Sequence, residues 1–218
     1  MLRAAILGDI PHGFSTREEP ALDSVLPHAP LVLAKQVHSP EVVTVTGPWD
    51  GAPPEADALV TDHLGLLIGV VTADCAPVLL GDREARVVAA AHAGWRGGVG
   101  GVIENTLDAM EALGARRSRI VAAIGPTIAQ ASYEVDAALR DQFDPAAHRF
   151  FAPGAPDRWQ FDLPGFVAER LRAAGIAAVE DLAEDTYAQP NRFFSFRRAT
   201  HRGEPTGGRQ TSGIGLPR

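Results

Sequence analysis

Two segments near the middle of the chain, residues 66–72 (LLIGVVT) and 86–91 (RVVAAA), are apolar on both faces. Such runs fit strands buried on both sides rather than strands with one wet face. Only a short apolar segment, residues 77–80, lies between them, and no helical pattern separates them. Further β patterns precede them at residues 31–37, 41–46 and 58–61, with the turn-rich stretch GPWDGAPP at residues 47–54 reading as a surface loop. Strands therefore come in runs, only sometimes broken by helices. This favours an α+β protein in which mixed β-sheets are covered by helices, over a regular doubly wound parallel fold.

The clearest helix follows the glycine-rich stretch GWRGGVGG at residues 94–101. Val99, Val102, Ile103, Leu107, Met110 and Leu113 form one apolar stripe that Gly114 ends. Residues 120–124 read as a strand closed by Gly125-Pro126. Residues 136–143 read as a short helix capped by Asp136, and 144–160 as a loop. Residues 162–174 form a second helix, capped by Asp162 with Pro164 in its first turn. Residues 193–196 read as a strand, and the tail from His201 as loop with a final short strand. No internal repeat is visible, and 218 residues, 45% hydrophobic, suit one domain over 1–218.

Net charge is -7, which does not suit a protein that holds a nucleic-acid backbone. Cys75 is the sole cysteine, so no disulfide forms within the chain. The apolar start is short and runs into Asp9, a poor signal peptide, and no stretch has the length of a membrane helix. The expectation is a cytoplasmic monomer without membrane or nucleic-acid partners.

Three residues stand at the mouths of predicted strands: His38, Cys75 and His92. Two imidazoles and one thiolate suit zinc, and three ligands leave a fourth position for water or substrate, as catalytic zinc does. Spacing alone favours a plainer account, with a buried cysteine and ordinary surface histidines. Glycines opening a helix expose N–H groups to anions, and Arg96 in that turn either binds phosphate or is simply solvated. Arg17, Arg197 and Arg198 carry the same two readings. Asp74, beside Cys75, is a candidate acid or base, or a strand-end residue bonded to backbone.

At these residues the chain resembles the YfiH/laccase-domain family, labelled polyphenol oxidase and also purine nucleoside phosphorylase. The segments that carry the resemblance are HGFSTR (12–17), KQVH (35–38), DALVT (57–61), TADCAPVLL (72–80), HAGWRG (92–97), IGP (124–126) with YEV (133–135), and FFSFRR (193–198). They span nearly the whole chain. The resemblance implies an αββα layered sandwich, distantly like a toxin that deamidates protein glutamine. It implies zinc on His38, Cys75 and His92, with copper as a substitute at the same ligands. It implies phosphorolysis of adenosine, inosine and methylthioadenosine, with adenosine deamination alongside. Asp74, Cys75 and Arg96 are then the catalytic candidates, and Arg17, Gln36 and Arg197 the candidates for binding nucleoside and phosphate. The chain departs from the family in having IAQAS at 128–132 and Asp185-Thr186 where cysteines are common, and in its short loop after Arg17.

Two other chemistries compete. Cys75 with His92 as base would serve a cysteine hydrolase or deamidase. A true multicopper oxidase needs many histidines in His-x-His pairs, and the seven present form none. A binding module without catalysis would show a closed metal shell.

Overall fold

A computed structural model describes residues 1–218. In chain order the elements are β1 (His12–Phe14), β2 (Leu31–Leu33), β3 (Val42–Thr44), β4 (Ala58–Thr61), β5 (Leu67–Thr72), β6 (Ala76–Asp82), β7 (Val87–Ala93), α1 (Trp95–Gly100), α2 (Val102–Ala112), β8 (Val121–Ile124), β9 (Glu134–Asp136), α3 (Ala137–Arg140), β10 (Phe151–Pro153), β11 (Arg158–Phe161), α4 (Leu163–Ala173), β12 (Ala178–Asp181), α5 (Phe196–Arg202) and β13 (Gln210–Gly215).

They build a six-stranded sheet in the order β12-β8-β6-β7-β4-β3, a four-stranded sheet β1-β13-β5-β2, and a small antiparallel sheet β10-β11-β9. Both larger sheets are mixed. β3 runs parallel to β4 and β12 to β8, while β6 and β7 form an antiparallel pair. In the second sheet β2 is parallel to β5, and β13 is antiparallel to it. This is the expected α+β class.

The side-chain period of two explains the layering. Leu79, Val88 and Ala90 face Ile68, Val70 and Ile214 across the space between the two large sheets. Val78, Leu80, Ala89 and Ala91 face the other way, onto α2 and α4. The central strands are thus buried on both sides, as their uninterrupted apolar sequence requires. On the helical side, Val102, Ile103, Leu107 and Met110 are fully buried, each stabilising the layer by roughly 1.5–3 kcal/mol. The outer face of the four-stranded sheet is closed by Leu22 and Val25 packing on Leu67.

Four local readings need correction. The stripe from Val99 is two helices. Gly101 takes φ +97°, a left-handed conformation open to glycine, and this ends α1 and starts α2. Val99 accordingly lies 39% exposed. The loop expected at 144–160 contains the β10–β11 hairpin, whose strands are short and carry Pro153. The strand expected at 193–196 is instead the approach to α5, which Ser195 caps by accepting the Arg198 N–H at 3.1 Å. The strand expected at 31–37 stops at Leu33, although Lys35 makes an isolated bridge to Glu55.

Candidate metal centre and its cavity

The chain passes between the two large sheets four times, and two of these crossings supply a site residue. His38 lies in the connection from β2 to β3. Cys75 lies in the tight turn from β5 to β6. His92 sits inside β7, next to the last residue of that strand, rather than after its end. The convergence therefore arises where one sheet hands the chain to the other, not from parallel strand mouths of a single sheet.

The ligand atoms of His38, Cys75 and His92 all lie within 4.8 Å of one another. Cys75 Sγ is 4.0 Å from His38 Nε2. The two imidazole rings meet edge to face, with centroids 4.8 Å apart. Gly94 completes the cradle, because a Cβ there would meet Cys75 Sγ at 2.9 Å and His38 Cδ2 at 3.3 Å. Two nitrogens and one sulfur on this spacing fit a borderline-soft divalent ion with an open position.

Asp57 organises the cluster, and the sequence reading passed over it. Its buried carboxylate is 2.7 Å from His92 Nδ1. It also accepts the backbone N–H groups of Val37, His38 and Ser39 and the Ser39 hydroxyl, at 2.7–3.1 Å. Three successive N–H groups aimed at one carboxylate hold the His38 turn in place. That turn needs holding, because His38 has φ +63°, which a non-glycine residue adopts at a cost. By donating Nδ1–H, His92 keeps Nε2 free for a metal. A signal for Asp57 existed, since it opens the DALVT segment immediately before an apolar strand.

Burial raises the Asp57 carboxyl, but the His92 and Ser39 hydrogen bonds outweigh it and hold the group well below the usual carboxylate range. Burial lowers His92, yet Asp57 and the thiolate of Cys75 bring it up to about 9. Burial raises the Cys75 thiol, while hydrogen bonds from His38 and His92 bring it down to about 6. Both shifts run toward a thiolate paired with a protonated imidazole.

The cluster opens into a cavity of about 550 Å³. Arg96, Arg197 and Arg209 line it, and none of the three pairs with a carboxylate. Arg197 is held by its N–H on Asp74 Oδ2 (2.7 Å), by a guanidinium hydrogen bond to the Glu134 carbonyl (2.6 Å), and by the Tyr133 ring 5.2 Å away. Arg96 lies over the Trp95 ring at 4.4 Å. Arg209 donates to the carbonyls of Thr206 and Gly208 in its own loop. Arg209 was missed because it lies in a tail that reads as loop. Tyr133, in the YEV motif, carried no assigned role. Burial, followed by the charge of Cys75, raises its phenol above the ordinary value.

Other expected site residues have different surroundings. Gln36 lines the cavity, but its amide donates to the Val71 carbonyl and accepts the Val71 N–H, both at 2.8 Å. It works as a false strand residue on the edge of β5. Asp74, at φ +87°, accepts the Thr186 hydroxyl on Oδ1 and the Arg197 N–H on Oδ2. Both oxygens are engaged, which suits a latch between segments better than a proton carrier. Arg17 does not join the cavity. It stacks on Phe194 at 4.5 Å, donates to the Pro190 carbonyl, and lines a separate cleft with Arg198 and Glu204.

The layered mixed sheets and the His-Cys-His cluster define a class of protein with a site able to bind a metal. The family described as multi-copper polyphenol oxidoreductase laccase matches residues 8–217. A purine nucleoside phosphorylase of Rickettsia conorii is 37% identical over 179 residues, covering 80% of this chain and 73% of the relative. One of Deinococcus radiodurans is 40% identical over 186 residues, covering 84% and 69%. Among solved structures, YlmD of Geobacillus stearothermophilus superposes with a TM-score of 0.80 at 30% identity, covering 88% of this chain and 76% of that one. YfiH of Bacillus licheniformis gives 0.79 at 29% identity, covering 89% and 78%. The chain belongs to the YfiH/laccase-domain family.

Proposed function

We propose that the chain is a zinc-dependent purine nucleoside phosphorylase. It converts adenosine, inosine or methylthioadenosine plus phosphate into the free base and a ribose 1-phosphate, with adenosine deamination as an accompanying activity. One observation carries this reading. In a chain of net charge -7, three arginines free of carboxylate partners share a cavity with a three-ligand metal cluster. Such a cavity attracts an anion beside an electrophilic centre. Its size, about 550 Å³, is in the range of small-molecule sites. The names of the relatives point the same way.

His38, Cys75 and His92 would hold the ion, with copper as the substitute for the same donors. Zinc bound there supplies a Lewis acid beside the substrate. The chain's own residues do the positioning. Arg96, Arg197 and Arg209 offer charge-assisted N–H groups to the phosphate. A phosphate oxygen forms its bond to the sugar carbon as the bond to the base breaks, and the electron pair leaves on the base. Ile128, Leu163 and Trp95 supply apolar wall, which disfavours water as the competing nucleophile. Asp74 fixes the backbone of Arg197 and so aims that arginine.

The test is product analysis with metal content measured on the same sample. Protein supplied with adenosine and phosphate should release adenine, and hypoxanthine from the deaminated fraction. Cys75→Ala should lose metal and turnover while staying folded. Fully loaded protein that releases neither base would end this reading.

A second reading also has an observation behind it. The lowered thiol of Cys75, the imidazole of His92 and the carboxylate of Asp57 form the nucleophile, base and orienting acid of a cysteine hydrolase or deamidase. Alkylation of Cys75 at a rate indifferent to zinc and to chelator would favour it, whereas protection by zinc favours the phosphorylase.

A further inference from the structure

The polar side chains lining the cavity are nearly all committed. His38, Cys75 and His92 form the metal cluster. The Gln36 amide is spent on Val71, and both Asp74 oxygens accept hydrogen bonds. The arginines are permanent cations. The Thr72 hydroxyl has no partner, but its oxygen is sealed from the cavity, with essentially no accessible surface. Two neutral donors remain, the Tyr133 hydroxyl and the Trp95 indole N–H, and neither makes a hydrogen bond within the protein.

Their settings differ. The Trp95 ring is pressed between the Arg96 guanidinium and Phe143 at the edge of the helical core. The Tyr133 ring rests between the Arg197 guanidinium (5.2 Å) and the Phe161 ring (5.7 Å), and its backbone is tied by the Phe161 N–H. Tyr133 lines the same cavity as Cys75, Asp74, Arg96 and Arg197. It is therefore a firmly held donor in the cavity that the metal cluster and the arginines share.

We propose that Tyr133 is a catalytic residue whose hydroxyl donates a hydrogen bond to the purine as it departs. This rests on the phosphorylase reading above. As the bond from sugar to base breaks, its electron pair makes the base anionic, and a neutral donor stabilises that charge more in the transition state than in the bound nucleoside. The arginines cannot substitute, because they are needed on the phosphate. The reaction balances without a proton from tyrosine. Hydrogenphosphate loses its proton as its oxygen is esterified, and the released base gains one.

The experiment compares two nucleosides on the metal-loaded full chain. Inosine leaves as an anionic base, whereas 7-methylinosine already carries positive charge and leaves neutral. Tyr133→Phe removes only the hydroxyl. It should lower kcat for inosine by about tenfold to a hundredfold with KM changed less than about threefold, while 7-methylinosine keeps kcat within about twofold. Equal loss on both substrates, or no loss on either, would overturn the proposal, as would the same selectivity appearing in Trp95→Phe but not in Tyr133→Phe. Wild-type protein that turns over neither nucleoside sinks the phosphorylase reading itself, a result distinct from an active wild type with an unimpaired Tyr133→Phe.

Discussion

Asp57 Oδ1 lies 2.7 Å from Nδ1 of His92, and both side chains are at most 5% exposed. The carboxylate therefore fixes which nitrogen of His92 faces Cys75, and through its three backbone hydrogen bonds it fixes the His38 turn as well. Asp57→Asn keeps the volume but removes the charge. It should weaken zinc binding by roughly tenfold to a hundredfold, measured by competition with a chromophoric chelator. Unchanged affinity in a folded variant would show that Asp57 serves only the fold.

Gly94 offers a cleaner probe of the cradle. Its φ of -79° is ordinary for any residue, so alanine adds no backbone strain. Only the added methyl matters, and it would meet Cys75 Sγ at 2.9 Å and His38 Cδ2 at 3.3 Å. Gly94→Ala should bind zinc at least about tenfold more weakly and keep a melting temperature within roughly 3 °C of wild type. Equilibrium dialysis and calorimetry on the same preparation separate the two effects.

The three cluster residues were legible chiefly through the motifs around Cys75 and His92, because strand ends and spacing alone favoured a buried cysteine and surface histidines. The reason for their convergence was not legible. Periodicity reports which face of a strand is buried, but not that β5 and β6 belong to different sheets. Asp57, Tyr133 and Arg209 escaped for a related reason. The roles of Asp57 and Tyr133 depend on contacts with residues 35 and 64 positions away, His92 and Arg197, and that of Arg209 on a cavity it shares with Cys75, 134 positions earlier; no local pattern records these. The helix α5 was misread because its aromatic approach, Phe193 to Phe196, looks like a strand, while the cap that starts it is a single serine.

Asp82 makes stability depend on acid. Its carboxylate is almost wholly buried and accepts N–H groups from Ala85, Arg116 and the Arg119 guanidinium. Burial raises its pKa, but these donors outweigh burial and hold it below the ordinary carboxylate value. A carboxyl whose folded pKa is depressed contributes stability above its unfolded pKa, and that contribution is lost as pH falls through the folded value. Asp82→Ala should therefore melt on the order of 5 °C lower than wild type at pH 7. The gap should narrow as pH drops below about 4. A gap constant from pH 7 to pH 3 would show that packing, not charge, sets the cost.

The three cavity arginines and Arg17 make opposite predictions about phosphate. Arg209 is exposed and bonds only carbonyls of its own loop, so its removal costs the fold little. Arg209→Ala should raise KM for phosphate about tenfold, a loss near 1.4 kcal/mol, with KM for the nucleoside changed less than about threefold. The rise should shrink in high salt, because an exposed arginine acts through a field that salt screens. Arg17→Ala should leave KM for phosphate where it is, since Arg17 stacks on Phe194 in a different cleft. Initial rates at varied phosphate and fixed inosine decide the matter. A phosphate defect in Arg17→Ala without one in Arg209→Ala would move the anion site out of the metal cavity altogether.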